Sequence, residues 1–394
     1  MRQSMRWSRA CIWRSVGFGL GVLWLVGTID TRAQPLEERV RQLEEQNTKF
    51  QLPAWVKIFQ FSGDLRLRYQ YEEEEEETEE TERHRGRFRY RLNLDANILE
   101  NLKVGFGIAS GGDDPRSTNQ SFEDSFSHKG IRIDLAFAEY KPMPWFELIG
   151  GKIKNPLWTP SDMLWDSDIR PEGGAIYLHS KFLPPRFELF LVSGVFVLDE
   201  ISDGADPLLV PIQGGVTVAL ANHITLQFAA TYYEFIDVQG TTLDFSAGTN
   251  TLAGEVLAFD YNVVSVGAEL GLTKIFGDII PYIGLIGEYV HNFDPDDANE
   301  GFLAGIKFGH KRIRERGNWQ VQYLYRRLER DAWLDTLPDA DFLNGETNTK
   351  GHEVIVTYGV LKYVEVGIDY YHAEEISSSR KKDLFQFDVM FKFP

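Results

Sequence analysis

From residue 56 onward, hydrophobic and polar residues alternate along the chain in segments separated by turn residues. Successive side chains of a β-strand point to opposite faces of a sheet, so this period of two predicts strands. We count sixteen such segments. They lie near residues 58–71, 84–96, 102–110, 131–140, 146–153, 174–182, 187–198, 209–220, 224–234, 259–272, 279–292, 301–309, 318–328, 352–360, 364–372 and 384–393.

The connections between the predicted strands alternate in length. Those after even-numbered strands are mostly short, such as "NILEN", "KPMPW" and "ANH", whereas those after odd-numbered strands are mostly long. A soluble sandwich has no reason to alternate in this way, but an antiparallel barrel that crosses a bilayer has short periplasmic turns and long outer loops. The long connections lie at 72–83, 111–130, 154–173, 199–208, 235–258, 293–300, 329–351 and 373–383.

These patterns predict an all-β fold, a sixteen-stranded antiparallel transmembrane β-barrel over residues 56–394. The segment lengths suit tilted spanning strands of about 9–11 residues. An open sheet edge in lipid leaves backbone groups unpaired at several kcal/mol each, so the first strand must pair with the last. Sixteen strands make a barrel wide enough for an aqueous channel. An even strand count places both ends of the barrel in the periplasm.

The N-terminus has the features of a signal peptide over residues 1–33. Four arginines precede an apolar run at 16–26, which is shorter than the roughly 20 residues of a spanning helix. Small residues at Thr31 and Ala33 suit cleavage after Ala33. The alternative is an uncleaved N-terminal anchor. Cleavage would also remove Cys11, the one cysteine of the sequence.

Residues 34–51 predict a short periplasmic helix with coiled-coil-like spacing. An asparagine at a core a position sets register and oligomeric state, and one is present here. Two heptads alone are marginal, so the segment is either a small coiled coil that helps a homotrimer assemble or a solvated helix. Its a and d positions are Leu36, Val40, Leu43, Asn47 and Phe50.

The chain carries a formal charge of −18, and cleavage would remove five arginines and Asp30, which makes it −22. Such a charge argues against a nucleic-acid partner, because phosphate binding needs basic surface. Nine glutamates fall within residues 72–82. This run predicts either a solvated loop or an acidic surface that gathers divalent cations.

A stripe of arginines is the strongest functional candidate. If Phe88, Tyr90 and Leu92 face lipid, the arginines between them face the lumen, since the reverse phase would cost about 2–4 kcal/mol for each arginine near the bilayer midplane. The stripe comprises Arg66, Arg68, Arg87, Arg89 and Arg91. It is either an anion-attracting wall or one neutralised by luminal carboxylates such as Asp64, Asp95, Glu365, Asp369 and Asp388.

Two further features bear on the predicted pore. Glu269 and Glu288 would lie on the wall opposite the arginines and create a transverse field. The connection at 154–173 is rich in aromatic and charged residues, so it is predicted either to fold inward and narrow the channel or to pack on the outer rim. Its candidate residues are Trp158, Asp162, Trp165, Asp166, Asp168 and Arg170, with Lys152 and Lys154 at its base.

Tyrosines and tryptophans near strand ends suit the aromatic girdles of a membrane barrel. Tyr71, Tyr233, Tyr325 and Tyr371 are placed on the outer rim. The sequence contains no GxSxG, HExxH or P-loop motif. We therefore predict no enzyme activity, no metal site and no cofactor.

Four segments resemble the putative porin family of Gram-negative outer-membrane β-barrels. They are "FSGDLRLRYQYE" (61–72), "RFRYRLNLDANI" (87–98), "VGFGIASGGDDPRSTNQSF" (104–122) and "GGKIKNPLWTPSDMLWDSDIRPEGGAI" (150–176). The resemblance covers most of the chain after about residue 56 and implies a pore in the outer membrane, without a solute. One departure is the C-terminus, where Pro394 follows the aromatic Phe393 on which such barrels commonly end.

The resulting prediction is an outer-membrane porin for passive diffusion of small hydrophilic solutes or ions. Its expected surroundings are outer-membrane lipid and lipopolysaccharide, and a homotrimer is one assembly that the N-terminal segment would favour. The alternative function is a plugged structural or adhesive barrel that acts through its outer loops. A third possibility is a soluble secreted β protein.

Overall fold

The computed structural model describes residues 38–41, 53, 56–180, 186–202 and 204–393. Residues 38–41 are helical and exposed. The rest of the predicted coiled-coil segment and the whole predicted signal peptide lie outside the described residues. Among the described residues, no helix is long and apolar enough to cross a membrane.

The described residues after 56 form sixteen long strands, which we number β1 to β16 in chain order. Three further strands have two residues each. The sixteen are Phe59–Glu75, Glu80–Leu99, Leu102–Ser110, Ile131–Met143, Phe146–Lys152, Glu172–His179, Phe187–Val197, Leu208–Ala221, Ile224–Ile236, Tyr261–Phe276, Ile280–Asn292, Glu300–Gly309, Trp319–Leu328, Thr349–Leu361, Val364–Glu375 and Lys381–Phe393.

Each strand pairs antiparallel with the next, and β1 also pairs with β16. Gly63 of β1 lies opposite Leu92 of β2 on one side and Phe393 of β16 on the other. The sheet therefore closes on itself, which satisfies the backbone groups of its first and last strands. The prediction of a closed sixteen-stranded antiparallel barrel is confirmed.

The barrel wall has two chemically different faces. On β1, Leu67 and Tyr69 are 43% and 45% exposed, while Arg66 and Arg68, which alternate with them, are buried. The same alternation continues on β14, where Val356 is exposed and Glu353 is buried. The outer face is thus apolar and the inner face polar, as expected of a barrel that meets lipid outside.

The acidic run does not form the loop that its composition predicted. Strand β1 continues to Glu75 and β2 begins at Glu80, with these two residues paired, so only residues 76–79 form the turn. Cations stabilise the extended hairpin, since Arg85 lies 2.9 Å from Glu72 and Lys381 lies 2.9 Å from Glu75. The connection predicted at 373–383 is likewise mostly strand.

Two of the predicted girdle tyrosines are on the wrong face. Tyr233 and Tyr371 are 1% and 4% exposed and point inward, whereas their neighbours Tyr232 and Tyr370 are exposed on the outside. In both cases two tyrosines stand side by side. Aromatic content alone does not decide which of two adjacent tyrosines faces lipid, because the alternation of the whole strand sets the phase.

Candidate functional site

Four of the long connections, all at the same end of the barrel, build the candidate site together with the inner wall. We refer to them as loop 2 (111–130), loop 3 (153–171), loop 5 (237–260) and loop 7 (329–348). The part of the barrel wall that contributes to the site consists of β14, β15, β16, β1 and β2, which are consecutive around the barrel.

The arginines of β1 and β2 stack in pairs on the inner face. Arg66 lies opposite Arg89, and Arg68 lies opposite Arg87, in the antiparallel register of the two strands. Arg66, Arg68 and Arg89 are less than one tenth exposed. Cross-strand pairs of like charge repel each other, so the stack requires carboxylates nearby.

Three of the arginines have close carboxylate partners. Arg68 binds Asp388 of β16 through two hydrogen bonds of 2.7 and 2.8 Å and also pairs with Asp341 of loop 7 at 3.0 Å. Arg89 donates to Asp64 at 2.8 Å. Arg91 donates to Asp168 of loop 3. Strand and loop carboxylates thus share the neutralisation of the stripe.

Arg66 and Arg87 are compensated less closely. Arg66 donates to the Asn119 side chain at 2.7 Å, and its Nη1 atom lies 3.7 Å from Asp388. Arg87 donates to Gln70 at 3.1 Å. The stripe is therefore neither an uncompensated cationic wall nor a fully neutralised one.

Loop 3 crosses the interior of the barrel. It is held by hydrogen bonds to strands that lie far apart around the wall, and a segment that reaches all of them must pass through the lumen. Its polar contacts are the Trp158 amide with Gln213 of β8 at 2.8 Å, Ser161 with Glu288 of β11 at 2.5 Å, Asp162 with Arg326 of β13 at 3.4 Å, and Asp168 with Arg91 of β2.

Loop 3 packs against loop 7 around one buried tryptophan. The Trp333 side chain is fully buried, and its indole N–H donates to the Leu164 carbonyl of loop 3 at 2.6 Å. Its ring lies 4.7 Å from the ring of Tyr233 and 6.2 Å from that of Trp165, both in edge-to-face geometry. We call this assembly of loop 3, loop 7 and the inner face of β9 the apolar plug.

Loops 2 and 5 are tied to the plug by polar contacts. Arg116 of loop 2 donates to the backbone carbonyls of Asp335, Gly345 and Phe245, at 3.0, 3.3 and 3.2 Å. The Asp335 carboxylate accepts from the Thr249 amide at 2.7 Å. The four loops thus form one continuous structure inside the end of the barrel from which they extend.

A charged cavity of about 160 Å³ remains between this structure and the β14–β2 wall. Arginines line it from β1, β2 and loop 2, and carboxylates line it from loops 3 and 7 and from β14 and β15. Its charged lining residues are Arg66, Arg68, Arg89, Arg116, Asp162, Asp166, Asp168, Asp339, Asp341, Glu353 and Asp369.

The loop carboxylates of the cavity differ in their proton affinity. Burial opposes ionisation of Asp168, but Arg91 and Arg89 together with two hydrogen bonds from Thr118 outweigh it and lower its pKa. Burial and the neighbouring Asp162 raise the pKa of Asp339 to about 7, although Arg326 acts against them. At neutral pH, Asp168 is therefore ionised, while Asp339 is close to its midpoint.

Glu269 of β10 and Glu288 of β11 lie on strands half-way around the closed barrel from β2 and β3, but neither reaches the charged cavity. Glu269 accepts from the Tyr282 hydroxyl and pairs with Lys307 at 2.9 Å. Glu288 is 6% exposed and accepts the bond from Ser161 of loop 3. Neither lines the cavity, and the carboxylates that do so come from loops 3 and 7, β14 and β15.

The remaining predicted residues lie around the base of loop 3. Lys152 pairs with Glu172 at 2.6 Å, and Lys154 is exposed. Arg170 donates to the Ser167 carbonyl at 2.8 Å and lies 3.4 Å from Asp134 of β4. The Arg170 contact ties the C-terminal end of loop 3 to β4, and the Lys152–Glu172 pair joins the two strands on either side of the loop.

Sequence reasoning missed Arg116, Arg326 and the carboxylates of loop 7. A usable signal was present, because "DAWLDTLPDADF" at 331–342 combines tryptophan and aspartates in the same way as the loop 3 segment "WTPSDMLWDSD". The composition that marked loop 3 as a folded segment thus marked loop 7 as well.

Comparisons with known proteins agree on fold and family. The most similar solved structures include OprB from Pseudomonas putida at high pH, with 11% identity, a TM-score of 0.58 and coverage of 89% of this chain and 97% of that one. The low-pH structure of OprB gives 10% identity, the same coverages and a TM-score of 0.50. No curated protein matches the sequence significantly.

The sequence model of the family described as "Putative porin" matches residues 74–253 and 252–393. These two segments together span far more than half of the chain and include all of the cavity-lining loops. The resemblance noted in the sequence is thereby confirmed, and the chain belongs to the putative porin family of outer-membrane β-barrels.

Proposed function

We propose that this barrel is a passive diffusion channel of the outer membrane for small hydrophilic solutes or ions. The observation that carries the proposal is the charged cavity between the β14–β2 wall and the plug. A solute that crosses an apolar membrane needs a polar route, and the inner face of a closed barrel supplies one. Diffusion through such a route needs no turnover and no cofactor.

We propose that Arg66, Arg68, Arg87, Arg89 and Arg91 form the cationic side of this route. The carboxylates of loops 3 and 7, with Glu353 and Asp369, form the anionic side, so a field runs across the passage. Loop 3, through Trp158, Asp162, Trp165, Asp166, Asp168 and Arg170, acts as the constriction. Lys152 and Lys154 would influence solutes at the base of that loop.

Export through the signal peptide, contact with lipopolysaccharide and assembly as a homotrimer belong to the same proposal. The apolar outer face suits a lipid environment, and the heptad spacing of residues 34–51 suits a trimer. Deleting residues 34–51 tests the last point, with the oligomeric mass in detergent measured by light scattering.

The second candidate function is a plugged barrel that acts structurally or in adhesion. The specific observation in its favour is the apolar plug of loop 3, loop 7 and the inner face of β9 around Trp333, to which loops 2 and 5 are tied by hydrogen bonds. In that case the cavity would be a dead end, and the outer surface of the loops would carry the function.

Single-channel recording in planar lipid bilayers separates the two functions. Purified, folded protein is expected to give discrete open-channel steps. Folding is checked by heat-modifiable gel migration, which also tests the soluble alternative. Folded protein that inserts into the bilayer without conductance steps would refute the channel and favour the plugged barrel.

A further inference from the structure

Glu353 of β14 and Asp369 of β15 stand out among the carboxylates of the cavity. They lie on adjacent strands, where Glu353 is opposite Tyr371 and Asp369 is opposite Ile355. Both side chains line the cavity, and Glu353 is only 2% exposed. They are therefore diagonal neighbours on the same patch of inner wall.

Within the described residues, these two carboxylates lack the partners that the others have. Glu353 Oε2 and Asp369 Oδ1 have no hydrogen-bond partner, and the other Asp369 oxygen accepts only from the Tyr371 hydroxyl at 3.1 Å. The remaining cavity carboxylates are matched: Asp162 and Asp339 by Arg326, Asp341 by Arg68, Asp168 by Arg91, and Asp166 by the backbone amides of Asp168 and Ala340.

A buried carboxylate without a partner is costly, and the cost falls when a cation comes within hydrogen-bond distance. The arginines that act on the pair are already engaged elsewhere. Arg326, which acts on Glu353, pairs with Asp162 at 3.4 Å and Asp339 at 2.9 Å, and Arg68, which acts on Asp369, pairs with Asp388 at 2.7 Å and with Asp341 at 3.0 Å. A cation from outside the chain would supply the donors that these two oxygens lack.

We propose that Glu353 and Asp369 form a subsite for the ammonium or guanidinium group of a small organic solute. This inference rests on the proposed function and extends it: solutes that carry an ammonium or guanidinium group would be the ones retained in the passage. The Cβ atoms of diagonal neighbours on adjacent strands lie up to about 7–8 Å apart. A cation that carries several N–H donors can be placed between two carboxylates at that spacing.

A metal ion suits the pair less well. Calcium takes six to eight oxygen ligands at about 2.3–2.6 Å, so its carboxylates must converge on one point. The described residues gather three carboxylates within 4.8 Å of one another only at Glu73, Glu80 and Glu82, on the hairpin outside the cavity. Among the described residues, no third carboxylate, histidine or cysteine converges with Glu353 and Asp369, which favours an organic cation over a metal ion.

Isothermal titration calorimetry on the full-length protein in detergent tests the subsite, with agmatine and calcium chloride as separate probes. Agmatine is expected to bind the native protein, and the Glu353→Gln/Asp369→Asn double variant is expected to bind it at least tenfold more weakly. Glu374→Gln is the matched control, since Glu374 is on the same strand as Asp369 but pairs with Lys350 at 3.1 Å away from the cavity. This control should bind agmatine like the native protein.

Three results would overturn the proposal: no agmatine binding to the native protein, equal binding to the double variant, or binding of calcium in place of agmatine. Glu353→Gln alone, expected to weaken binding by a smaller factor, replaces the double variant if heat-modifiable migration shows that the latter does not fold. The calorimetry needs no open channel, so silence in bilayer recordings would refute the diffusion function and leave the subsite result standing.

Discussion

Arg66 is the single residue on which the charge of the proposed passage depends most directly. It lines the cavity, and its nearest carboxylate oxygen is 3.7 Å away, whereas Arg68 and Arg89 bind carboxylates at 2.7–2.8 Å. A unit charge about 4 Å from a solute contributes about 1 kcal/mol even at the dielectric constant of water. This is about fivefold for an anion and acts in the opposite sense on a cation, so Arg66→Gln is expected to lower the anion-to-cation permeability ratio at least about fivefold.

The measurement is the reversal potential in a salt gradient. Lys381→Gln is the control, because it also removes one positive charge, but from an exposed pair with Glu75 on the outer hairpin. If both variants shift the potential equally, the arginine acts through net charge and not through its place in the cavity. An unchanged potential in Arg66→Gln would mean that this arginine is structural.

Asp339 makes the cavity sensitive to pH near neutrality. Its pKa is raised to about 7 by burial and by Asp162. The other charged groups that face it are Arg326 of β13, Asp341 of loop 7, Asp166 of loop 3, Glu353 of β14 and Asp369 of β15. Below its pKa the carboxyl is neutral, and above it the cavity gains one negative charge. Cation preference is therefore expected to rise between about pH 6 and pH 8.

Reversal potentials recorded across that range give the readout, and Asp339→Asn supplies the comparison. The variant carries no charge at this position at any pH, so its cation preference should rise less than that of the native protein between pH 6 and pH 8. A native curve that matches the variant's curve would show that Asp339 does not titrate in the passage.

At the scale of elements, the plug decides how much of the barrel is open. Trp333 packs against Trp165, Tyr233 and Phe235 and is fully buried, yet it belongs to a loop and not to the wall. Truncating a buried tryptophan to alanine typically costs about 3–5 kcal/mol. Trp333→Ala is therefore expected to release the plug while the barrel remains closed.

Larger single-channel conductance with unchanged heat-modifiable migration is the expected result. Trp319→Ala, at the opposite rim of the barrel, is the control and should conduct like the native protein. If the native protein is silent and Trp333→Ala conducts, the plugged-barrel function is favoured. Unchanged conductance in Trp333→Ala would show that the plug does not limit the passage.

The strands could be predicted well because each has one face toward lipid and one toward the lumen. The predicted segment 102–110 coincides with β3, and most others differ from the structure by a few residues at their ends. The failure at 72–82 has a physical reason: charged residues continue a strand when the neighbouring strands carry opposite charges, as Arg85 and Lys381 do here. Alternation of hydrophobicity does not report such pairing.

The candidate site was predictable only in part, because its contacts join residues far apart in the sequence. The inward phase of the arginines follows from alternation within one strand. Their partners Asp341 and Asp168 come from loops, and Arg68 and Asp341 are separated by 273 positions. Loop composition indicated that loop 3 is folded, but the path of a loop depends on tertiary packing that a local pattern does not contain.

At the scale of the whole molecule, closure of the barrel depends on Gly63 of β1, which lies between Leu92 of β2 and Phe393 of β16. A methyl group on this residue would stand 2.1 Å from the Arg91 carbonyl oxygen and 2.5 Å from the Phe393 ring. The carbonyl belongs to the backbone of β2, so the clash can be removed only if the backbones of β1 and β2 move apart. Overpacking of this kind costs roughly 1–3 kcal/mol.

Gly63→Ala is therefore expected to lower the temperature at which the compact, heat-modifiable form is lost on gels. Gly214→Ala is the matched control, since Gly214 lies within β8 and a methyl group there meets nothing within 4 Å. The control should retain the native transition, because both substitutions make the same chemical change and differ only in the space available. Equal transition temperatures in the two variants would mean that β1 does not lie as close to β2 and β16 as the structure shows.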